Sequence, residues 1–183
     1  MTCKPTMSPR SRSQILVSFA SLLMGSATLA QTVEYEITVL PEIPDALYTY
    51  GTGINNAGQV VGFSIFPWNP YATRGWIWSE ADGLEFLPDP PGSDRLRYAA
   101  QSISDTGFIS GDGGGDFGRA WVYKDRVYHM VATPDTPASC VDVNNAGDAV
   151  GWHGSAFYGV HPFKFTLRDG LSALLPPQVG RAY

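Results

Sequence analysis

The sequence predicts an all-β fold, a β-propeller-like array of about three four-stranded antiparallel blades. Three observations carry this expectation. The phrase INNAGQVVG at residues 54–62 returns as ISDTGFISG at 103–111 and as VNNAGDAVG at 143–151, so the chain is a repeat. The copies start 49 and 40 residues apart, the span of a propeller blade. Between turn residues the runs are rich in β-branched and aromatic residues, and no helical period is sustained.

Each unit reads as four short strands, a to d. The units run over about residues 46–90, 91–136 and 137–177. Strand a is YTYGTGI, RYAAQSI or PASCVDV, and strand b is QVVGFSI, FISG or DAVGW. Strand c is RGWIWS, RAWVYK or HPFKFT, and strand d is LEFL, VYHMV or LSALL. NNAG or SDTG joins a to b. Asn and Asp cap their own turn there, and Gly58, Gly107 and Gly147 supply the positive φ of a short hairpin. Four residues on, Gly62, Gly111 and Gly151 fall within strand b, which predicts a bulge or a close backbone approach. A nucleotide-binding loop would need a helix after these glycines, and a strand follows instead.

Strand c repeats an aromatic pair two residues apart: Trp76 with Trp78, Trp121 with Tyr123, Phe163 with Phe165. Such a pair shares one face and is expected to pack between neighbouring sheets. Gly51, Ala100 and Cys140 form one aligned column in strand a, which calls for a small residue. Cys140 is therefore expected to be a core residue rather than a nucleophile.

Residues 1–30 precede the repeats. Lys4, Arg10 and Arg12 lead a short apolar run that ends in small residues, the pattern of a secretory signal peptide cut before Gln31. The expectation is an exported chain: extracellular, cell-surface or periplasmic. The domain of residues 31–183 keeps nine of the twelve Lys and Arg and all seventeen Asp and Glu, a net charge of −8. That sign opposes nucleic acid and anionic lipid. No later run is apolar enough to span a bilayer. Cys3 leaves with the signal, so no internal disulfide is expected.

These units resemble the extracellular HAF repeat of bacterial proteins, named for a His-Ala-Phe tripeptide. The matching positions are Arg74-Gly75-Trp76, Arg119-Ala120-Trp121 and His161-Pro162-Phe163. The family phrase INNxGQVVG is matched closely at 54–62 and 143–151. The resemblance implies a secreted or surface bacterial protein with propeller-like blades, and brings no catalytic residues with it.

Closed propellers have four to eight blades, so three point to a truncated propeller, a partial one, or one completed by association. The segment VEYEITVLP resembles a strand d and its exit, and PPQVGRAY resembles the approach to a further strand a. Exposed edge strands would favour self-association.

Function is expected on the long-loop face, formed by the b–c and d–a loops. Trp68 and Tyr71 are assigned to the first b–c loop, and Trp152 and Tyr158 to the third. Together they are the candidate binding residues for a glycan or a protein surface. Asp112 and Asp116, in the glycine-rich loop GDGGGDFG, are the one calcium candidate, and their spacing misses the EF-hand pattern. No other cofactor is implied. His129, His153 and His161 lack paired metal-ligand spacing, and no GxSxG, HExxH or CxxC motif occurs. The reading is a binding or structural module. The alternative is a glycan hydrolase or lyase using Asp or Glu on the long-loop face.

Overall fold

Among the described residues, twelve strands make three separate four-stranded antiparallel sheets. The computed structural model describes residues 36–67, 72–92, 97–113, 118–131, 137–155 and 159–173. The chain divides into two units, Met1–Val39 and Leu40–Tyr183. In the first, only residues 36–39 are described, and they are irregular. The second holds every described strand.

Blade 1 contains β1 (Tyr48–Ile54), β2 (Val60–Phe66), β3 (Ala72–Ser79) and β4 (Gly83–Phe86). Blade 2 contains β5 (Tyr98–Ile103), β6 (Ile109–Gly113), β7 (Arg119–Lys124) and β8 (Val127–Met130). Blade 3 contains β9 (Ala138–Val143), β10 (Ala149–Ser155), β11 (Gly159–Thr166) and β12 (Gly170–Ala173). Within each blade the strands pair in chain order. The described residues contain no helix, and no sheet closes into a barrel.

The repeated phrase builds the same hairpin three times. In blade 1 the Asn55 amide donates to the Gln59 carbonyl, and Gly58 N–H donates back to the Asn55 carbonyl. Ser104 with Phe108, and Asn144 with Asp148, repeat the first bond. The Asn55 and Asn144 side-chain oxygens each accept two amides of their own turn, and the Ser104 hydroxyl accepts the Phe108 amide. Gly58, Gly107 and Gly147 have φ of 75°, 84° and 83°, as a left-handed turn position requires.

The glycines of β2, β6 and β10 solve a packing problem. A Cβ on Gly62 would overlap the Tyr50 carbonyl oxygen and the Trp76 indole. Gly111 stands in the same relation to the Ala99 carbonyl and Trp121, and Gly151 to the Ser139 carbonyl and Phe163. Each glycine pairs across the ladder with the very aromatic residue whose ring lies over it. The register of the inner pair also shifts beside this glycine in all three blades, between Gly51 and Gly53, Ala100 and Ser102, and Val150 and Gly151. Bulge and close approach therefore coexist: the inner strand kinks and the ring fills the space the glycine leaves.

Residues paired in register share a face. Gly51, Gly62, Trp76 and Phe86 form the front of blade 1. Ala100, Gly111, Trp121 and Met130 form the front of blade 2. That second front packs on the back of blade 1, where Trp121, Ala100 and Ile109 meet Val61 and Leu87. The front of blade 3 packs likewise on the back of blade 2: Cys140, Phe163 and Phe165 meet Ala120, Val122 and Val131. Trp76, Trp121 and Phe163 are all essentially solvent-free. Trp121 and Phe163 of the strand c column are thus inter-blade core, while Trp76 is buried on the blade 1 front. β5 lies against both β1 and β9, so these three are the inner strands.

On the front of blade 1, the segment from Leu40 to Ala46 takes the place of a neighbour. Ile43 is buried against Trp76, Phe66 and Ala72, with Leu40 beside them. Leu87 and Val131 hold the corresponding exit positions at the other two fronts, donating their amides to the Gly75 and Ala120 carbonyls.

Candidate functional site

A polar ladder runs across the inner ends of the blades at the repeated hairpins. The Asn56 amide donates to Asp105 Oδ1 at 2.8 Å, and the Asn56 side-chain nitrogen donates to Asp105 Oδ2 at 2.9 Å. The Asp105 amide in turn donates to Asn145 Oδ1 at 2.9 Å, and Thr106 Oγ1 donates to the Asn145 carbonyl. Asn55 Nδ2 reaches the Ser104 carbonyl. These hydrogen bonds hold the Asp105 carboxyl below the usual carboxylate value, mainly through the Asn56 backbone and side chain. An open concavity of about 300 Å³ lies over the three hairpins, walled by Asn55, Asn56, Asp105, Asn144 and Asn145 among others. With one carboxylate whose two oxygens already accept hydrogen bonds, the ladder serves to join blades.

The inner strand of blade 1 carries a different feature. The Tyr48 and Tyr50 rings stack with centroids 6.4 Å apart and planes at 30°, and Tyr50 also packs on Phe63 at 5.1 Å. Both tyrosines are exposed, Tyr48 at 59% and Tyr50 at 46%. Strand alternation puts them on one side of β1. The cross-strand pairing of Tyr50 with Phe63 backs the second ring. Beside them a cavity of about 400 Å³ opens on the blade 1 front, between Trp76, Leu84, Leu40, Ile43 and Gly51.

The residues singled out from sequence fall in several places. Trp68, Tyr71, Tyr158 and Asp116 lie outside the described residues. Trp152 is not in a loop: it lies inside β10, paired with Ser139 and Pro162. The strand continues past it to Ser155 because Gly154, at φ 104°, lets the ladder bend without breaking. Asp112 is also a strand residue, paired with Ala99 and Ala120 in β6 rather than held in a loop. Its Oδ2 accepts hydrogen bonds from Ser139 Oγ at 2.7 Å and Gln101 Nε2 at 3.3 Å. Burial raises its carboxyl above the ordinary value, against the lowering effect of those two donors. Asp112 thus bridges blades 2 and 3. Among the described residues no three His, Cys, Asp or Glu side chains are placed to hold a metal ion.

Cys140 is fully buried in the blade 2–blade 3 core. Burial, with the nearby Asp112 charge adding to it, pushes its thiol up to about 12. A thiol held protonated is a poor nucleophile and a poor metal ligand. The His153 and His161 rings lie 5.7 Å apart on the strand pair β10–β11.

Two features were not read from the sequence. The Asn56–Asp105–Asn145 ladder had a signal, since every copy of the phrase carries two successive polar residues where the turn uses one. The tyrosine pair had none, because Tyr48 and Tyr50 sit in an ordinary strand pattern. A scan against protein-family models matches none to this chain, and searches of curated proteins and of solved structures give no match.

Proposed function

We propose that this chain is an exported binding module of the HAF-repeat kind, whose blades present the Tyr48–Tyr50 pair to a saccharide. The exposed, stacked tyrosine pair backed by Phe63 carries the reading. A pyranose offers an apolar C–H face and a rim of hydroxyls. Tyrosine offers the matching combination of a flat apolar ring and a polar tip. Holding two such rings side by side in water, their planes 30° apart, exposes apolar area that a ligand would cover. A rigid strand pair presents them, so little ordering entropy is lost on binding. Export rests on the signal-like residues 1–30. Trp152 belongs to a different face, on β10 of blade 3.

The test is titration of the purified chain with a panel of soluble oligosaccharides, followed by ligand-observed NMR. Saturable binding is expected, weakened about five- to tenfold in Tyr48→Ala and in Tyr50→Ala, the size of one ring contact. Far-UV circular dichroism should be unchanged, because both rings are outside the core. Binding that is indifferent to both substitutions would overturn the site. Cleavage of any glycan in the panel would overturn the module in favour of an enzyme.

A further inference from the structure

Among the described residues neither end face of the blade array carries a neighbouring sheet: the back of blade 3 is open, and the front of blade 1 carries only the Leu40–Ala46 segment. On the back of blade 3, Val150, Trp152 and Val160 are 43%, 36% and 58% exposed. Val150 precedes the strand glycine, as Val61 does in blade 1 and Ser110 in blade 2, and both of those are fully buried under the next blade. The front of blade 1 shows the converse. Gly51 is exposed, whereas Ala100 and Cys140, at the same place in blades 2 and 3, are fully buried. The 400 Å³ cavity there lies over Trp76 and Gly51, where the front of blade 2 instead holds Val61 of blade 1 against Trp121.

The hairpin ladder is interrupted at the same two places. The Asn56 amide finds Asp105 Oδ1, and the Asp105 amide finds Asn145 Oδ1, but the Asn145 amide has no acceptor among the described residues. Asn55 is buried and its Nδ2 bonds to the Ser104 carbonyl across the blade interface. Asn144 makes the same turn with its Oδ1, yet it is exposed and its Nδ2 has no acceptor among the described residues. At the other end Asn56 Oδ1 accepts no hydrogen bond from a described residue. The donors left over on blade 3 are those that a following blade takes up, and the acceptor left over on blade 1 is the one that a preceding blade fills.

We propose that a second copy of this chain docks on these faces, the back of blade 3 of each copy seating on the front of blade 1 of the other. The contact continues the two blade interfaces already inside the chain at equivalent positions, with Ile43 of the receiving copy holding the exit position that Leu87 and Val131 hold there. Val150 would take the place of Val61 over the cavity, and the Asn145 amide would donate to Asn56 Oδ1 of the second copy. Each copy offers one face of each kind, so copies join head to tail, and only the ring of two copies has a blade number in the range of closed propellers. The result is a ring of six blades, within the four to eight of closed propellers, with no open face left over. The inference does not depend on the saccharide reading.

Sedimentation velocity of the purified chain over a wide concentration range tests it. A two-copy species is expected. Val150→Glu on the back face and Gly51→Glu on the front face should each weaken association by about a hundredfold, since each buries an unpaired charge at both contacts. Both positions are exposed in a single copy. A Cβ on Gly51 meets nothing closer than 3.7 Å, so both variants should fold, as circular dichroism will show. If Gly51→Glu does not fold, Leu47→Glu, exposed on the same cavity wall, replaces it. Mixing the two variants should restore a two-copy species, because one of its two contacts then joins unaltered faces. A single-copy chain at every concentration overturns the proposal. So does a Gly51→Glu variant that still pairs with itself, which would indicate pairing of edge strands or of two blade 3 faces.

Discussion

Asn56 and Asp105 hold each other through two hydrogen bonds, one from the Asn56 backbone and one from its side chain, across 49 positions of sequence. The contact joins equivalent points of two successive repeats. The carboxylate offers each donor its own oxygen, whereas an amide there has one acceptor oxygen and turns a donor nitrogen to the second.

Replacing Asp105 by Ala is expected to lower the denaturation midpoint of the chain by removing this bridge. Replacement by Asn should cost less, because Asn145 shows that an amide at this place still accepts the neighbouring backbone N–H. The hydrogen bonds lower the folded pKa of Asp105 below its unfolded value. Its contribution is therefore complete above the unfolded pKa and is lost as pH falls through the lower folded one. Denaturant titrations of wild type and Asp105→Asn, run from neutral pH down into the acid range, should converge below the ordinary carboxylate range of about 4. Curves separated equally at every pH would show that charge plays no part.

Gly111→Ala is expected to destabilise the chain by about 1 to 3 kcal/mol or more, the range for overpacking a filled site. The added methyl would meet both the Ala99 carbonyl and the Trp121 ring, and neither can move without disturbing blade 1. Trp121→Ala should cost about 3 to 5 kcal/mol, since it empties a fully buried indole site. Trp152→Ala should cost far less, because that ring is partly exposed on an end face. Chemical denaturation of the three variants checks the order. A Trp152→Ala loss equal to that of Trp121→Ala would mean that the end face is already covered.

How much of this was legible in the sequence differs from residue to residue. The strand runs were, because β-branched and aromatic residues between Asn-Asn-Ala-Gly, Ser-Asp-Thr-Gly and Asp-Gly turns leave few other structures open. Trp121 and Phe163 were also legible as inter-sheet packing, since the i, i+2 spacing fixes their common face, whereas Trp76 packs under the Leu40–Ala46 segment and, among the described residues, on no neighbouring sheet. Gly62 was half legible. A strand glycine announces a close approach, but only the pairing shows that the Trp76 ring is what approaches. Trp152 was misplaced because the small residues after it read as a loop, whereas Gly154 carries the ladder through. The Asn56–Asp105 bridge depends on how one blade sits on the next, and no local pattern states that angle.

Cys140 should resist thiol reagents in the folded chain. The thiolate is the reactive form, and burial together with Asp112 holds the thiol protonated up to about 12. In a Cys3→Ser background, an Ellman-type reagent at mildly alkaline pH is expected to report no modification until denaturant is added. Cys140→Ala should be tolerated, since Ala100 occupies the same column in blade 2. Prompt labelling of the folded chain would show that the blade 2–blade 3 interface opens readily.

Asp112 is expected to make the chain more stable at mildly acidic pH than at neutral pH. Its carboxyl is raised in the fold, first by burial, with Ser139 and Gln101 only partly offsetting this. A raised folded pKa means that the fold favours the protonated form. Its stabilising effect is then complete below the unfolded value and is lost as pH rises through the folded one. Asp112→Asn keeps an oxygen to accept the Ser139 hydroxyl and cannot ionise, so it should match or exceed wild type at neutral pH. The variant should also flatten the decline expected of the wild type as pH rises above the ordinary carboxylate value of about 4. Asp105 titrates below that value, so the two effects separate. Urea denaturation of both proteins at mildly acidic and at neutral pH decides it. If Asp112→Asn is the less stable of the two at neutral pH and the difference narrows in acid, then the ionised Asp112 is what Ser139 and Gln101 hold, and it binds blade 2 to blade 3 as a charge.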